Sequence, residues 1–475
     1  MLSTKANTIL ENLKPLIEQT SNSGVFLFEL LAKCPIGKVK SDKQTKYKRD
    51  EIARLFILLK LLAIPSLHTA IGQRLKGVLP CGKDVLYKIR NSSSIAWRSI
   101  LYRQAKQCMS GVTIEEDSRQ PWTPPCFIVD DSDLNKKGKH IEFVGRIFSH
   151  LTKRYDIGFK CLSLTYWSGK HLLHLDFSLH GELGKNGNQG MTPKQQKARY
   201  SKERDLANDG GKRAQEVFEK KSDQLYKMLR RARSHGFKAA YLLLDSWFFN
   251  AKLMAFAIKM KMHVITRPKF NHWKYQYANQ AITLGNLIKK IRRSKMRKWN
   301  KELRMHHITV AIEHQGIDMR IFFFKEKRRG CKWQALITTD KQIGAIQAYK
   351  VYQNRWSIEV SFKELKQHLG LGKCQSRDFD AQIADTTHAL MAYNYLSHIL
   401  TVHNHETIGQ LFAEVSQNWL QPTLMKRFWD YFLGFLTDLA ELVQKSLDDL
   451  LDIVKNDDGF FSKWYSRTLA IGAET

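Results

Sequence analysis

The chain has 475 residues, enough for about two to four domains at ~100–200 residues each. Lysine and arginine number 77 against 45 aspartates and glutamates, a formal charge of +32. Hydrophobic residues at 43% and charged residues at 26% are ordinary globular values, which excludes a disordered, collagen-like or coiled-coil chain.

The charge implies a polyanionic partner. Its basic residues are spread along the chain rather than gathered in one tail, which favours a long nucleic-acid surface over an anionic membrane. The cysteines number seven, an odd count, and none forms a CxxC pair. That argues against a disulfide scaffold or zinc ribbon and for reduced thiols in a cytosolic compartment. Met1–Glu11 is polar with no secretory pattern. The apolar stretches Leu55–Leu67 and Tyr241–Ile258 are broken by Lys60 and Pro65, and by Asp245 and Lys252. A soluble, cytoplasmic protein that avoids membranes is expected.

Residues 1 to about 120 read as helical, with Ile52, Leu55, Phe56, Leu59 and Leu62 at helical spacing. Further helices are expected over Leu67–Leu75 and Ser93–Cys108, with breaks at Pro80, Gly82 and Asn91–Ser94. Such a basic helical module could bind DNA or simply pack. The proline-rich Asp117–Pro125 reads as a linker. Cys126–Val129 is a short apolar run, as in a strand buried on both faces, ending at Asp130-Asp131-Ser132. Phe143–His150, Lys160–Tyr166 and His171–Leu179 are further strand candidates, followed by a Gly- and Asn-rich loop and a basic helix over Arg213–His235. Ala239–Leu244 is a second buried strand that ends in an acid, Asp245; Asn250–Lys261 reads as helix and His263–Arg267 as a short strand. A basic run from Lys289 to Lys301 precedes an expected hairpin, Ile308–Glu313 and Met319–Phe324 around Gln315-Gly316, and then a strand Ala335–Thr338. Gly344–Leu369 reads as one long helix, and residues 380–475 return to helical periodicity.

Two buried strands that end in aspartates place acids where α/β sheets collect ligands. A third acid, Glu359, lies in the long helix with Tyr352, Arg355 and Lys366. On a regular helix these four polar residues fall within an arc of roughly 60°, beside an apolar stripe of Val351, Ile358, Phe362, Leu365 and Leu369. The plainer reading of that helix is a charged surface with Arg355 and Glu359 as an i,i+4 pair, and strand-end aspartates are common in turns. Three carboxylates can hold two hard divalent cations, and two such ions ~3.5–4 Å apart suit phosphoryl transfer. With the basic charge, the acids point to DNA phosphodiester chemistry.

The spacing Tyr352-x2-Arg355-x3-Glu359-x6-Lys366, with the two strand-end aspartates, resembles the YREK signature of bacterial DDE transposases of the insertion-sequence-four type. The resemblance spans Cys126 to Leu369 and implies an α/β, RNase H-like catalytic core interrupted by a β-rich insertion and flanked by helical domains. The implied division is a helical DNA-binding domain over 1–120, a catalytic domain over 121–375 with its insertion at about 270–333, and a helical, dimerising C-terminal domain over 376–475. Asp245 and Glu359 match the second and third catalytic, metal-holding acids. The first is Asp130 or Asp131; the family's Asp-Thr/Ser pattern selects Asp131, and strand alternation allows only one of the pair to face the metals. Tyr352, Arg355 and Lys366 match residues that contact the transposon-end backbone, and Trp356 matches a tryptophan that stacks on a flipped base; its plainer reading is a core aromatic. The resemblance further implies Mg²⁺ as cofactor, two ions per site with Mn²⁺ able to substitute. It implies double-stranded DNA partners (terminal inverted repeats and target), a homodimer, and action on the bacterial nucleoid. Cleavage would free a 3′-OH that passes through a hairpin and then attacks target DNA. Two rival readings are an RNase H-like nuclease without strand transfer and a non-catalytic, transposase-derived DNA-binding protein.

Overall fold

The computed structural model describes residues 31–36, 47–64, 66–69, 82–110, 123–149, 152–182, 184, 187–328, 330–402 and 407–413, with 416, 439 and 446. The expected linker Asp117–Pro125, save its last three residues, lies outside them. So do part of the expected helix Leu67–Leu75 and most of the chain beyond 413.

One continuous mixed sheet organises these residues, and its mixture of strands and helices fits the α/β, RNase H-like expectation. Its strands are β1 (Cys126–Asn135), β2 (Gly145–Ser149), β3 (Arg154–Trp167), β4 (Leu172–His180), β5 (Tyr241–Leu244) and β6 (His263–Thr266). A later set comprises β7 (Lys274–Tyr277), β8 (Gln280–Thr283), β9 (Lys298–Asn300), β10 (Met305–His314), β11 (Ile317–Glu326) and β12 (Gln334–Thr338). The order is β2-β3-β1-β5-β6-β12-β11-β10-β7-β8, with β4 on β3 and β9 on β10. The β1–β5 and β5–β6 pairs are parallel. Their continuous apolar runs, Cys126–Val129 and Tyr241–Leu244, are buried throughout, as strands covered on both faces must be. The expected hairpin is present as β10 and β11, and it turns at Gln315 and Gly316, both at positive φ.

Helices α1 (Arg49–Leu61), α2 (Lys83–Arg90), α3 (Trp97–Ser110), α4 (Lys221–Ser234), α5 (Ala251–Lys259), α6 (Leu284–Ile291), α7 (Ala345–Gln353), α8 (Trp356–Gln367) and α9 (Phe379–Val402) cover the sheet. The long α9 packs on α1, α3 and β4, so helices from both ends of the described chain share one core with the sheet. In α6 the apolar Leu284, Leu287, Ile288 and Ile291 turn inward while Lys289 and Lys290 face solvent.

Three elements differ from the sequence expectation. β1 does not stop at Val129; its ladder with β3 runs on to Asn135 and carries Asp130 and Asp131 inside the strand. The helix expected over Arg213–His235 is two, Asp209–Glu216 and α4, and the break presents the Glu219 carbonyl to His180 Nδ1 at 3.1 Å. The long helix Gly344–Leu369 divides into α7 and α8 at Asn354 and Arg355. There the amides of Asn354, Arg355 and Ser357 bond carbonyls three residues back, at 3.2, 3.0 and 3.1 Å, the tighter 3₁₀ pattern. Ser357 Oγ also donates to the Asn354 carbonyl at 2.6 Å.

Two buried polar networks lock the layers together. Asp176 on β4 is fully buried and accepts from Arg98 Nε of α3 at 2.9 Å, Arg231 Nε of α4 at 2.8 Å and the Tyr102 hydroxyl at 3.1 Å. Arg98 also bonds Glu216 at 2.7 and 2.8 Å. The second network runs through His174, whose ring nitrogens meet Ser163 at 3.0 Å and Ser361 of α8 at 3.1 Å. Its backbone exchanges bonds with the Asn394 amide of α9 at 2.7 and 2.9 Å. Burial holds the His174 imidazole down at about 3, so it is neutral at pH ~7 and can bridge two hydroxyls.

Burial pushes the Asp176 carboxyl up, but Arg98, Arg231 and Arg213 more than offset it and leave it at about 2. An unfolded aspartate titrates near ~3.9. Its lowered value therefore stabilises the fold fully above ~4, and that contribution fades as the pH falls through about 2. Asp176→Asn is expected to cost ~3–5 kcal/mol at pH ~7 by urea unfolding, because it strands buried guanidiniums. The gap between wild type and variant should narrow as the pH drops below ~4; a gap that is small at pH ~7 would show that the charge does not hold these layers.

Candidate active site

The parallel register pairs Val129 with Leu244, so the next residues, Asp130 and Asp245, stand level at the same end of adjacent strands. Asp130 continues along β1, whereas Asp245 leads into the 3₁₀ turn Ser246–Phe248. Packing of α8 on β1 brings the third acid to this end. Arg355 forms the bridge: Nη1 donates to Asp130 Oδ2 at 3.3 Å and Nη2 to Glu359 Oε1 at 2.5 Å. Its i,i+4 pair with Glu359 is thus half of a longer bridge that reaches the sheet.

Pleating separates the two adjacent aspartates, as alternation requires. Asp130 turns toward Arg355 and Glu359, and also accepts from the Asp131 amide at 2.8 Å. Asp131 pairs instead with Lys221 at the start of α4. Burial, with the charges of Asp131 and Glu359, raises the Asp130 carboxyl to about 7 against the lowering effects of the Asp131 amide and Arg355.

Tyr352 is buried, and its hydroxyl donates to the Leu244 carbonyl at 3.2 Å, tying α7 to the end of β5. Burial raises its phenol to about 12, Arg355 and Arg267 lower it, and the charges of Asp245 and Asp130 add to the rise. Trp356, beyond the helix break, is 61% exposed and is no core residue. It lines a cavity of about 320 Å³ with Tyr349, Tyr352, Arg355 and Arg267. Lys366 is placed elsewhere. Its charged neighbours are Asp133 and Lys160, further along β1 and β3. Of the lysines after the first acid, Lys136 is not free for phosphate: it is buried and donates to the carbonyls of Gly372 and Cys374 at 2.9 Å each.

Arg267 was not singled out from the sequence. It follows Thr266, the partner of Leu244, and so stands level with Asp245 at the end of the neighbouring parallel strand. Its guanidinium lies 5.9 Å from the Tyr352 ring centroid, and that of Arg355 lies 5.8 Å from the same centroid. The available signal was positional: three neighbouring parallel strands place Asp130, Asp245 and Arg267 at one level.

The hard carboxylate oxygens of Asp130, Asp245 and Glu359 suit a divalent cation. Among the described residues no group of three His, Cys, Asp or Glu side chains is arranged as a metal site. Arg355 bridges two of the acids.

Residues 219–395 match the family model described as a transposase DDE domain, and residues 84–283 match that of a DDE superfamily endonuclease. The first match contains Asp245 and Glu359, the second Asp130 and Asp245. Together they support a DDE-superfamily transposase, an endonuclease class that acts on DNA. The chain has no match among curated proteins. Among the described residues no helix is long and apolar enough to cross a membrane.

Tyr352→Phe removes one neutral hydrogen bond and is expected to cost about 1 kcal/mol of stability. Arg355→Ala leaves Asp130 and Glu359 facing each other without their shared cation and should cost more. Urea unfolding of the two variants side by side checks the order, and the reverse order would remove the bridge from the account of the site.

Proposed function

We propose that the chain is a cut-and-paste transposase of the insertion-sequence-four type, which cleaves DNA at the ends of its element and joins them to target DNA. The observation that carries this reading is the level pair Asp130 and Asp245 with Glu359 drawn to them through Arg355. Each chemical step is an in-line displacement at phosphorus, so one site can serve cleavage, hairpin formation and joining.

Asp130, rather than Asp131, is the first acid of the set, with Asp245 and Glu359 as the others. These three would hold two Mg²⁺ ions, or Mn²⁺ in their place, which when bound neutralise the phosphate and activate the attacking oxygen. Arg355 keeps Asp130 and Glu359 apart as paired anions and is positioned to turn toward a phosphate once the carboxylates have another counter-charge. Arg267 and Tyr352 wall the cavity beside them, and Trp356 offers its ring at the rim for an extrahelical base. Lys366, seven residues on from Glu359, serves the DNA backbone further from the reacting phosphate. The helical segments at the two ends of the chain bind the element's ends and pair two copies, so that both ends are held together on the nucleoid.

The test is cleavage of labelled DNA bearing the element's own ends, with Mg²⁺. Glu359→Gln and Asp130→Asn are each expected to lose more than about a hundredfold in rate, the scale of removing one electrostatic stabiliser of the transition state. Asp131→Asn should lose much less. A severe loss in Asp131→Asn with full activity in Asp130→Asn would reverse the assignment of the first acid. Cleavage unaffected by Glu359→Gln would end the three-acid reading. Cleavage without joining to a target plasmid would leave a nuclease.

Trp356→Ala is expected to impair hairpin formation by about tenfold or more, within the range of one lost base stack, while sparing first-strand nicking. Separation of nicked and hairpin products on a denaturing gel distinguishes the two steps. Equal loss of both would assign Trp356 to general DNA binding.

A further inference from the structure

Trp247 lies two residues beyond Asp245, in the turn Ser246–Phe248, and its side chain is 53% exposed. Its place is not incidental. The Lys221 ammonium sits 4.4 Å from the ring centroid, a cation–π distance, and the same ammonium pairs with Asp131. The Phe248 ring meets the indole edge-on at 4.8 Å. A cavity of about 90 Å³ between α4 and α5 adjoins the indole and is too small for a base, so only the exposed part of the ring can take one. An exposed indole held by a lysine, an aromatic edge and two helices is an ordered platform.

Its location relative to the acids is defined by the strand pleat. Arg355, Trp356 and the larger cavity lie on the side to which Asp130 turns. Lys221 and Trp247 lie on the side to which Asp131 turns. Two exposed tryptophans therefore flank the same pair of strand ends from opposite sides.

We propose that Trp247 and Lys221 form a second nucleotide-binding site, which takes an unpaired base and its phosphate from the strand that leaves the active site on the side away from Trp356. The chemistry selects the ligand. An indole face recognises the π-face of any base without regard to sequence. That face is available only on a base freed from its neighbours in the stack. The ammonium beside the ring supplies the complementary charge for the adjoining phosphate. Lys221 is held by Asp131 until that phosphate arrives, so Asp131 acts as its placeholder rather than as a catalytic acid. This inference rests on the transposase reading, since it needs DNA with a frayed or displaced strand at the acids.

The test compares wild type, Trp247→Ala and Trp247→Phe on two DNAs in EDTA, so that no cleavage intervenes. One is a fully paired duplex carrying the element's end. The other is the same duplex with a short unpaired flank that bears 2-aminopurine. Trp247→Ala is expected to bind the flanked DNA about tenfold more weakly, equivalent to ~1.4 kcal/mol, and the paired duplex within about twofold of wild type, because only an unpaired base can stack. Trp247→Phe should keep most of the affinity. Wild type should quench the 2-aminopurine and Trp247→Ala should not. Equal affinity of wild type and Trp247→Ala for the flanked DNA, with equal quenching, overturns the proposal and leaves the transposase reading intact. A parallel loss on both DNAs also overturns it, since it marks a general contact or a damaged fold. If wild type binds neither DNA, the transposase reading falls and takes this site with it.

Discussion

The carboxylate of Asp176 is the constraint on which the architecture depends. It sits on β4 with no access to water, and buried charge is tolerated only when matched. The matching guanidiniums come from α3 and α4, two helices far apart in the chain. Arg98 then passes the connection to Glu216, in the helix before α4. Remove the negative charge and Arg231 loses its ion-pair partner, while Arg98 and Arg213 are left to share Glu216 alone. The sheet and its helical layer therefore share one electrostatic solution. The neutral His174, two residues earlier, extends the arrangement to α8 through Ser361, which lies two residues beyond Glu359. The acid on α8 is thus positioned from the interior as well as by Arg355.

The site itself shows how a local break in regular structure serves geometry. A straight helix over Gly344–Leu369 would set Tyr352, Arg355, Glu359 and Lys366 along a single line. The 3₁₀ turn at Asn354 and Arg355 reassigns them. Tyr352 is driven into the sheet, Arg355 swings to Asp130, Trp356 is pushed into solvent and Lys366 is left to the far part of β1. The four residues end in four different environments.

Much of this was legible in the sequence, for identifiable reasons. Cys126–Val129 and Tyr241–Leu244 read as buried strands because nothing polar interrupts them, and each led to an acid. The hairpin was visible from alternation around Gln315-Gly316. The end of β1 was not, because Asp130-Asp131-Ser132-Asp133 has the composition of a turn, and only the ladder to β3 extends the strand through it. That extension is also what separates Asp130 from Asp131: the alternation was foreseen, and Arg355 and Lys221 pair with the two on opposite sides. Arg267 was missed for a related reason. Its significance comes from register between strands, which no local pattern encodes. Lys136 shows the converse: it stands in a basic, glycine-containing run, yet its ammonium closes two carbonyls of a distant loop.

The pairing of β12 with β6 has a mechanical consequence. Thr266 lies against Leu244 on one side and Ile337 on the other, so the later strands are joined to the acid-bearing ones by unbroken backbone ladders. Strands β7 to β11 are therefore not a pendant module on a flexible tether but an extension of the same plate. A force applied at the tip of the β10–β11 hairpin is transmitted through hydrogen bonds across β11, β12 and β6 to the residue beside Asp245. Stiffness of this kind means that whatever rests on the far strands is indexed to the acids at a fixed distance, as a ruler fixes two marks.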